Sequence, residues 1–209
     1  MLYRKYFKRL IDLFLGVFAI ILLSPLFLMM AIIIPLDSRG PVFYLQDRLG
    51  LGKKTFRLYK FRTMTHVDRQ VHKQVFGNDP EVTSVGKLLR RLKIDELPQI
   101  INVIRGEMSI VGPRPCLASI SHLFDKNTEF RFLAKPGLTS LAAIKGSIYL
   151  SWGEKWVYDR LYVAKSSFLL DVKIILNTFL VIIFGEKKFL EHPDSSLFKL
   201  DTNNQQVTS

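Results

Sequence analysis

The run Arg90-Arg91-Leu92-Lys93-Ile94-Asp95-Glu96-Leu97-Pro98-Gln99 sets two adjacent acids behind three cations. An ionised carboxylate needs no general base to act as a nucleophile or to bind a hard cation. Its obstacle toward a phosphate is charge, which arginines and Mg²⁺ remove. One reading of Asp95 and Glu96 is therefore a carboxylate nucleophile or Mg²⁺ ligand among phosphate-binding arginines. The other is electrostatic capping of a helix N-terminus, worth about 0.3–1 kcal/mol. The run alone leaves both open. A second basic stretch, 53–62, holds Lys53, Lys54, Arg57, Lys60 and Arg62 and no acid. It reads either as a solvated strand face or as a surface for anions and lipid headgroups.

Other chemistries find no support. There is no glycine-rich nucleotide loop and no nucleophile elbow. His66, His72, His122 and His192 are scattered without metal-ligand spacing. Cys116 is the one cysteine, which excludes an internal disulfide and points weakly to a reducing compartment. The 209 residues suit one domain, and 48% apolar and 12% aromatic content excludes a disordered chain. A net charge of +12 calls for anionic partners: nucleic acid, phosphorylated small molecules or a membrane surface.

The elements that must position these residues begin with an uncharged run of 24 residues, Leu13 to Leu36. As one straight helix it would be about 36 Å long, enough for a hydrocarbon core of about 30 Å. Arg4, Lys5, Lys8 and Arg9 precede it, which places the N-terminus in the cytoplasm. Ser24-Pro25 sits at its midpoint, where proline removes a helical donor and the serine hydroxyl can serve the freed carbonyl. A kinked spanning helix and a re-entrant hairpin both fit, and the basic, phosphate-directed remainder favours the hairpin.

Residues 41–64 read as a β-hairpin turning at Gly50-Leu51-Gly52, and 65–83 as a loop. Val85, Leu88, Leu89 and Leu92 recur at helical spacing. Asp95 is expected to N-cap a helix running to about Arg105 and stopped by Gly106. Gly112-Pro113-Arg114-Pro115 is a stiff loop and Lys135-Pro136-Gly137 a turn. Residues 152–184 read either as long amphipathic interfacial helix, with Trp152, Trp156, Tyr158 and Tyr162 at the membrane surface, or as an ordinary core helix, and the hairpin favours the first. The fold class expected is α+β, mainly helical. The catalytic domain is expected over 1–198, with 10–36 as the re-entrant membrane helix, and a disordered tail over 199–209.

The chain resembles the bacterial sugar transferases of the small monotopic phosphoglycosyl transferase family over about Phe7 to Gly185. The motifs that carry the likeness are Lys8-Arg9-Leu10-Ile11-Asp12, Ser24-Pro25, Gly40 to Arg48, and Phe56 to Met64. They continue with Asp95-Glu96-Leu97-Pro98-Gln99, Gly106 to Pro115, Lys135 to Thr139, and Tyr158-Asp159-x-x-Tyr162.

The resemblance implies a monotopic enzyme on the cytoplasmic face of the bacterial inner membrane, with its re-entrant helix broken at Ser24-Pro25. It implies transfer of a sugar 1-phosphate from a UDP-sugar to polyprenyl phosphate, usually undecaprenyl phosphate. UMP leaves, and lipid-linked glycan assembly for a polysaccharide begins. Asp95 becomes the nucleophile and Mg²⁺ ligand, and Glu96 its catalytic partner. Arg90 and Arg114 fall where substrate phosphate is bound, and Lys60 and Arg62 join them. The partners implied are the donor, the acceptor and membrane lipids, with no nucleic acid and room for a homo-oligomer.

The chain departs from the family pattern after Gly137-Leu138-Thr139. Ala143, Lys145 and Ser147 stand where glutamine, asparagine and arginine are usual, and Lys93 where serine is common. The departures bear on donor recognition more than on reaction type. The rival expectation is a non-catalytic, membrane-anchored basic protein that binds anionic lipid or nucleic acid. Acids inside its basic cluster would serve it poorly.

Overall fold

The computed structural model describes residues 3–65, 80–119, 124 and 126–194. Most of the loop expected over 65–83, with His66 and His72, lies outside the described residues. So do His122 and the tail expected over 199–209.

After one π-helical turn, Tyr3–Phe7, helix α1 runs Lys8–Asp37. It bends by 59° between Lys8–Leu22 and Ser24–Asp37. The cause is local. Pro25 brings no amide hydrogen to the Ile21 carbonyl, and Ser24 Oγ donates to that carbonyl instead, at 2.8 Å. Each segment is about 21–23 Å long. Among the described residues no single helix is long and apolar enough to cross a membrane, though the bent pair passes by length and composition.

Both ends of α1 are fastened to the same body. At the first, Arg9 donates to the carbonyls of Val103 at 2.5 Å and Ile104 at 2.7 Å. Asp12 accepts from Ser109 Oγ at 2.7 Å and Ile110 N at 3.0 Å. At the second, Met30 and Ile34 pack with Phe61 and Leu89, and Asp37 accepts from Val85 N at 3.1 Å. Between these anchors Phe14, Ile21, Leu22 and Leu28 stand exposed.

The hairpin forms as its sequence predicts. Strands β1 (Phe43–Leu49) and β2 (Thr55–Phe61) pair antiparallel, with Phe43 opposite Phe61 and Leu49 opposite Thr55. A 3₁₀ turn, Leu51–Lys53, joins them. Helix α2 (Ser84–Arg91) is N-capped by Thr83, whose hydroxyl accepts from Gly86 N at 2.9 Å. Helix α3 (Gln99–Arg105) covers the free edge of β2. Asn102, fully buried, donates to Arg57 O at 2.7 Å and accepts from Tyr59 N at 3.1 Å. These are ladder bonds supplied by a side chain to an edge strand.

Strands β3 (Ser109–Val111) and β4 (Cys116–Leu117) flank the Pro-Arg-Pro loop. β4 pairs antiparallel with β1, completing a sheet of order β2-β1-β4. After a short helix α4 (Lys126–Glu129), strand β5 (Gly137–Thr139) pairs parallel with β3. Three-residue strands give no alternation to read, and periodicity missed this pair. Helices α5 (Trp152–Lys165) and α6 (Phe168–Phe184) follow. The molecule is mainly helical with small sheets, as expected.

Two expectations need correction. Residues 152–184 form two helices, broken at Ser166-Ser167, and the Ser167 side chain caps the second start by accepting from Leu170 N at 3.3 Å. Tyr158 and Tyr162 are core residues rather than interfacial ones, 4% and 1% exposed. The Tyr158 hydroxyl donates to Glu191 O and the Tyr162 hydroxyl to Asp171 Oδ1, with Val111 O 3.0 Å from the same oxygen, so burial leaves them satisfied. Trp152 does stand exposed. On α6, Asp171, Ile174 and Val181 turn inward, leaving Leu169, Leu176, Phe179, Ile183 and Phe184 on a wide exposed apolar face.

Candidate active site

The site forms where the end of β2, the start of α3 and the Pro-Arg-Pro loop meet. α2 reaches it through Gly86. A Cβ there would lie 2.1 Å from Thr63 O, so only glycine lets the helix press onto this strand end. That contact sets Arg90 Nε 2.9 Å from Thr63 Oγ1.

Asp95 does not cap α3, contrary to the sequence reading. α2 closes at Leu92, and Lys93 turns left-handed at φ 58°. Ile94–Glu96 then makes one 3₁₀ turn, and α3 begins only at Gln99 behind Pro98. The left-handed residue after a helix ends it, so the acids ride on a separate turn. They are not spent on the α3 terminus.

On that turn Glu96 Oε1 accepts from Lys60 Nζ at 2.8 Å and Arg114 Nη2 at 2.9 Å. Burial pushes the Glu96 carboxyl up, but Arg114 and Lys60 overcome it and hold the group well below the usual carboxylate range. Asp95 moves the other way. Burial and then the neighbouring Glu96 charge raise it, against the pull of Lys60, Arg90 and Lys93. Adjacent acids are thus split, the first raised in proton affinity and the second firmly ionised, a pattern typical of sites that divide two chemical roles.

The structure therefore brings Asp95, Glu96, Lys60, Arg90 and Arg114 together. Arg62, grouped with them in the sequence, it does not. Arg62 is buried and donates to the carbonyls of Arg39 at 2.6 Å, Ser38, and Ile34 at 3.4 Å. It closes the C-terminal end of α1, where carbonyls lack helical donors. Its guanidinium faces that helix end rather than the acids, which corrects its placement among the phosphate ligands.

Spacing did not point to several other residues at the site. Lys93 Nζ pairs with Glu186 Oε1 at 2.8 Å, and Glu186 Oε2 accepts from Ile148 N at 3.0 Å. Of the departing residues, Lys145 pairs with Glu191, whose amide donates to Lys145 O at 3.2 Å. The unusual loop is thus braced by residues 186–191. Nothing in the sequence tied positions so far apart.

Among the described residues no group of three or more His, Cys, Asp or Glu could hold a metal. A donor set of one or two carboxylates fits Mg²⁺. This ion binds through one or two carboxylates and takes its remaining ligands from waters and substrate phosphates. With Glu96 Oε1 engaged by two cations, Asp95 is the carboxylate that fits such an ion.

The bacterial sugar transferase family model matches residues 3–185 of this chain. Exopolysaccharide production protein ExoY of Sinorhizobium fredii is 38% identical over 187 residues, covering 82% of this chain and 83% of the relative. UDP-N-acetylgalactosamine-undecaprenyl-phosphate N-acetylgalactosaminephosphotransferase of Aeromonas hydrophila is 39% identical, over 86% of this chain and 44% of the relative. UDP-glucose:undecaprenyl-phosphate glucose-1-phosphate transferase of Escherichia coli is 39% identical, over 82% of this chain and 39% of the relative. The chain thus matches most of the first protein and under half of the other two. These matches overturn the non-catalytic rival: the chain belongs to the bacterial sugar transferase family and is an enzyme, a sugar-1-phosphate transferase.

Proposed function

We propose that this enzyme transfers a sugar 1-phosphate from a UDP-sugar to a polyprenyl phosphate, undecaprenyl phosphate in the usual case, and releases UMP. The observation that carries the reading is the split acid pair inside an excess of cations. A carboxyl of raised proton affinity is the stronger nucleophile once ionised. Asp95 attacks the sugar-bearing phosphorus, and the bond from that phosphorus to the bridging oxygen breaks. UMP leaves with the bond's electrons, and an acyl phosphate forms. An oxygen of the lipid phosphate then attacks the same phosphorus, and Asp95 returns as carboxylate. Arg114, Arg90 and Lys60 offset charge on the phosphates in both steps. Glu96 anchors Lys60 and Arg114 while remaining ionised itself. Asp95 and the donor phosphates would hold Mg²⁺, which supplies further neutralisation there.

The membrane placement belongs to the same reading. Both ends of the bent α1 are tied to one body, and the apolar stretch between them is exposed. That supports a re-entrant hairpin on the cytoplasmic face of the bacterial inner membrane rather than a span. The apolar face of α6 would lie along the same surface. Single cysteines at Lys5 and Ser209, in a Cys116→Ala background, should react together from the cytoplasmic side of intact cells. Opposite labelling would sink the hairpin.

The reaction is tested by mixing the protein with a panel of UDP-sugars, Mg²⁺ and undecaprenyl phosphate. UMP should appear with at least one donor, vanish in EDTA, and return with Mg²⁺. Full activity in EDTA would remove the metal, and no UMP from any donor would remove the reaction.

A further inference from the structure

Pro113 and Pro115 carry no amide hydrogen and have fixed φ, so the loop around Arg114 can contribute little to any strand ladder. Its carbonyls must find donors elsewhere. Three successive carbonyls do. Pro113 O accepts from Gly137 N at 2.9 Å. Arg114 O accepts from Arg131 Nη2 at 2.7 Å, and Pro115 O from Arg48 Nη1 at 3.2 Å.

The two guanidiniums are held in turn. Arg48 Nη2 donates to Gln46 Oε1 at 2.7 Å. Arg131 pairs with Asp159 at 2.8 Å, the two side chains 6% and 2% exposed. Burying an ion pair is costly and is weak evidence for stability. This one also leaves Arg131 Nη1 without a hydrogen-bond partner. What it does accomplish is to fix the backbone of a residue whose own side chain is half exposed and reaches Glu96.

We infer that Arg131, seated by Asp159, and Arg48 are positioning residues for the reaction, clamping the Pro113-Arg114-Pro115 backbone so that Arg114 is aimed at Glu96 and at the donor phosphate. The phosphate half rests on the proposed reaction. The aim at Glu96 does not. Charge stabilisation falls steeply with misplacement, and about 1 Å can cost about 100-fold. A free Arg114 would sweep many rotamers, whereas a clamped one stays near its target.

The test replaces the pair rather than breaking it, since Arg131→Met with Asp159→Leu leaves no unpaired buried charge. The double variant should melt close to wild type yet lose about tenfold or more in kcat/KM for UMP release, an effect of coupled residues. Arg114→Ala should cost about 100-fold in the wild type and only about tenfold in the double variant, where part of its contribution is already lost. Equal losses from Arg114→Ala in both backgrounds would overturn the clamp, as would wild-type kcat/KM in the double variant. Should the double variant not fold, Arg131→Lys serves. It keeps a cation opposite Asp159 with poorer reach to Arg114 O, and should show the same non-additivity with a smaller loss.

A second arm needs no substrate. Arg114→Ala should lower the melting temperature through its contact with Glu96, and should do so less in the Arg131→Met/Asp159→Leu background. An unchanged shift there refutes the clamp even if no UDP-sugar proves to be a donor. UMP from the wild type with an unchanged shift would spare the reaction and sink only the clamp.

Discussion

At Asp171 both carboxylate oxygens are taken. Oδ2 accepts from the Tyr3 hydroxyl at 2.6 Å and pairs with Lys8, and Oδ1 accepts from the Tyr162 hydroxyl at 2.8 Å. One acid meets one cation, and neutral hydroxyls fill the rest. Burial and then Asp171 push the Tyr162 phenol far up, so it stays a donor at any working pH. At Asp95 and Glu96 the composition is different. Lys60, Arg90, Lys93 and Arg114 all act on the pair, and one oxygen of Glu96 carries two of them. Glu186 pairs directly with Lys93 and also acts on Arg114, which still leaves four cations against three acids. The first centre is closed and neutral, as a tie between α1 and α6 should be. The second is left cationic and partly open, as a site that receives an anionic substrate should be. Two acid centres in one chain are thus told apart by how their charge is balanced.

That contrast is put at risk most severely by Asp95→Asn. The change keeps shape and removes both the nucleophile and the charge. It should lower kcat by about 10⁴-fold or more, as removal of a covalent nucleophile does. Stability should not fall, because burial and Glu96 already disfavour the Asp95 charge. Given UDP-sugar labelled in the β-phosphate without lipid, wild type should hold hydroxylamine-sensitive label and Asp95→Asn none. Label on the variant, or a marked drop in its melting temperature, would place Asp95 with the structural acids.

Asp171→Asn should do the reverse. It leaves Lys8 without its counter-ion in a mostly buried position. Breaking such a pair costs about 3–5 kcal/mol, to be read from denaturant unfolding in detergent. The purified variant that remains folded should still release UMP. Wild-type stability in Asp171→Asn would erase the distinction from the structural side.

How far the sequence foretold these two centres differs for physical reasons. The hairpin, the Ser24-Pro25 break and the Asp95-Glu96 pair were legible because each is local: alternation, a missing amide hydrogen, two acids among cations. Asp171 is, in sequence, one acid inside an apolar run, and its partners Tyr3, Lys8 and Tyr162 lie on other elements. Arg62 was misplaced for a related reason. A cation count over 53–62 does not say which side chains turn toward a helix end. The 3₁₀ turn under Asp95 was hidden because helix-start signals allow Asp as a cap and Pro98 in the first turn. The left-handed Lys93 is what ends α2 and sets that turn apart. Arg48 and Arg131 act on carbonyls of one loop, with Asp159 pairing Arg131, and no side-chain spacing reports a bond to a backbone atom.

The smallest expected effect concerns Asp159, which belongs to neither type. Burial pushes its carboxyl up to about 6, and Arg131 only partly opposes this. The group therefore binds a proton more tightly folded than unfolded, where its ordinary value is 3.8. Between these values the folded state holds the extra proton, so stability falls as pH rises. Its contribution is full below about pH 4 and is lost as pH passes through about 6, amounting to about 2–3 kcal/mol. Glu96 has the opposite sign. Its carboxyl lies well below the usual range, so its contribution is present above that range and is lost only on strong acidification. Unfolding free energies of wild type and Asp159→Asn, measured from pH 4 to 7, isolate the term because other carboxylates cancel in the difference. Wild type should lose ground to the variant as pH rises from 4 to 6, and the difference should then level off. A flat difference would mean that Arg131 fully offsets the burial of Asp159. A difference of the opposite slope would make Asp159 an ion-pair acid of the same kind as Glu96.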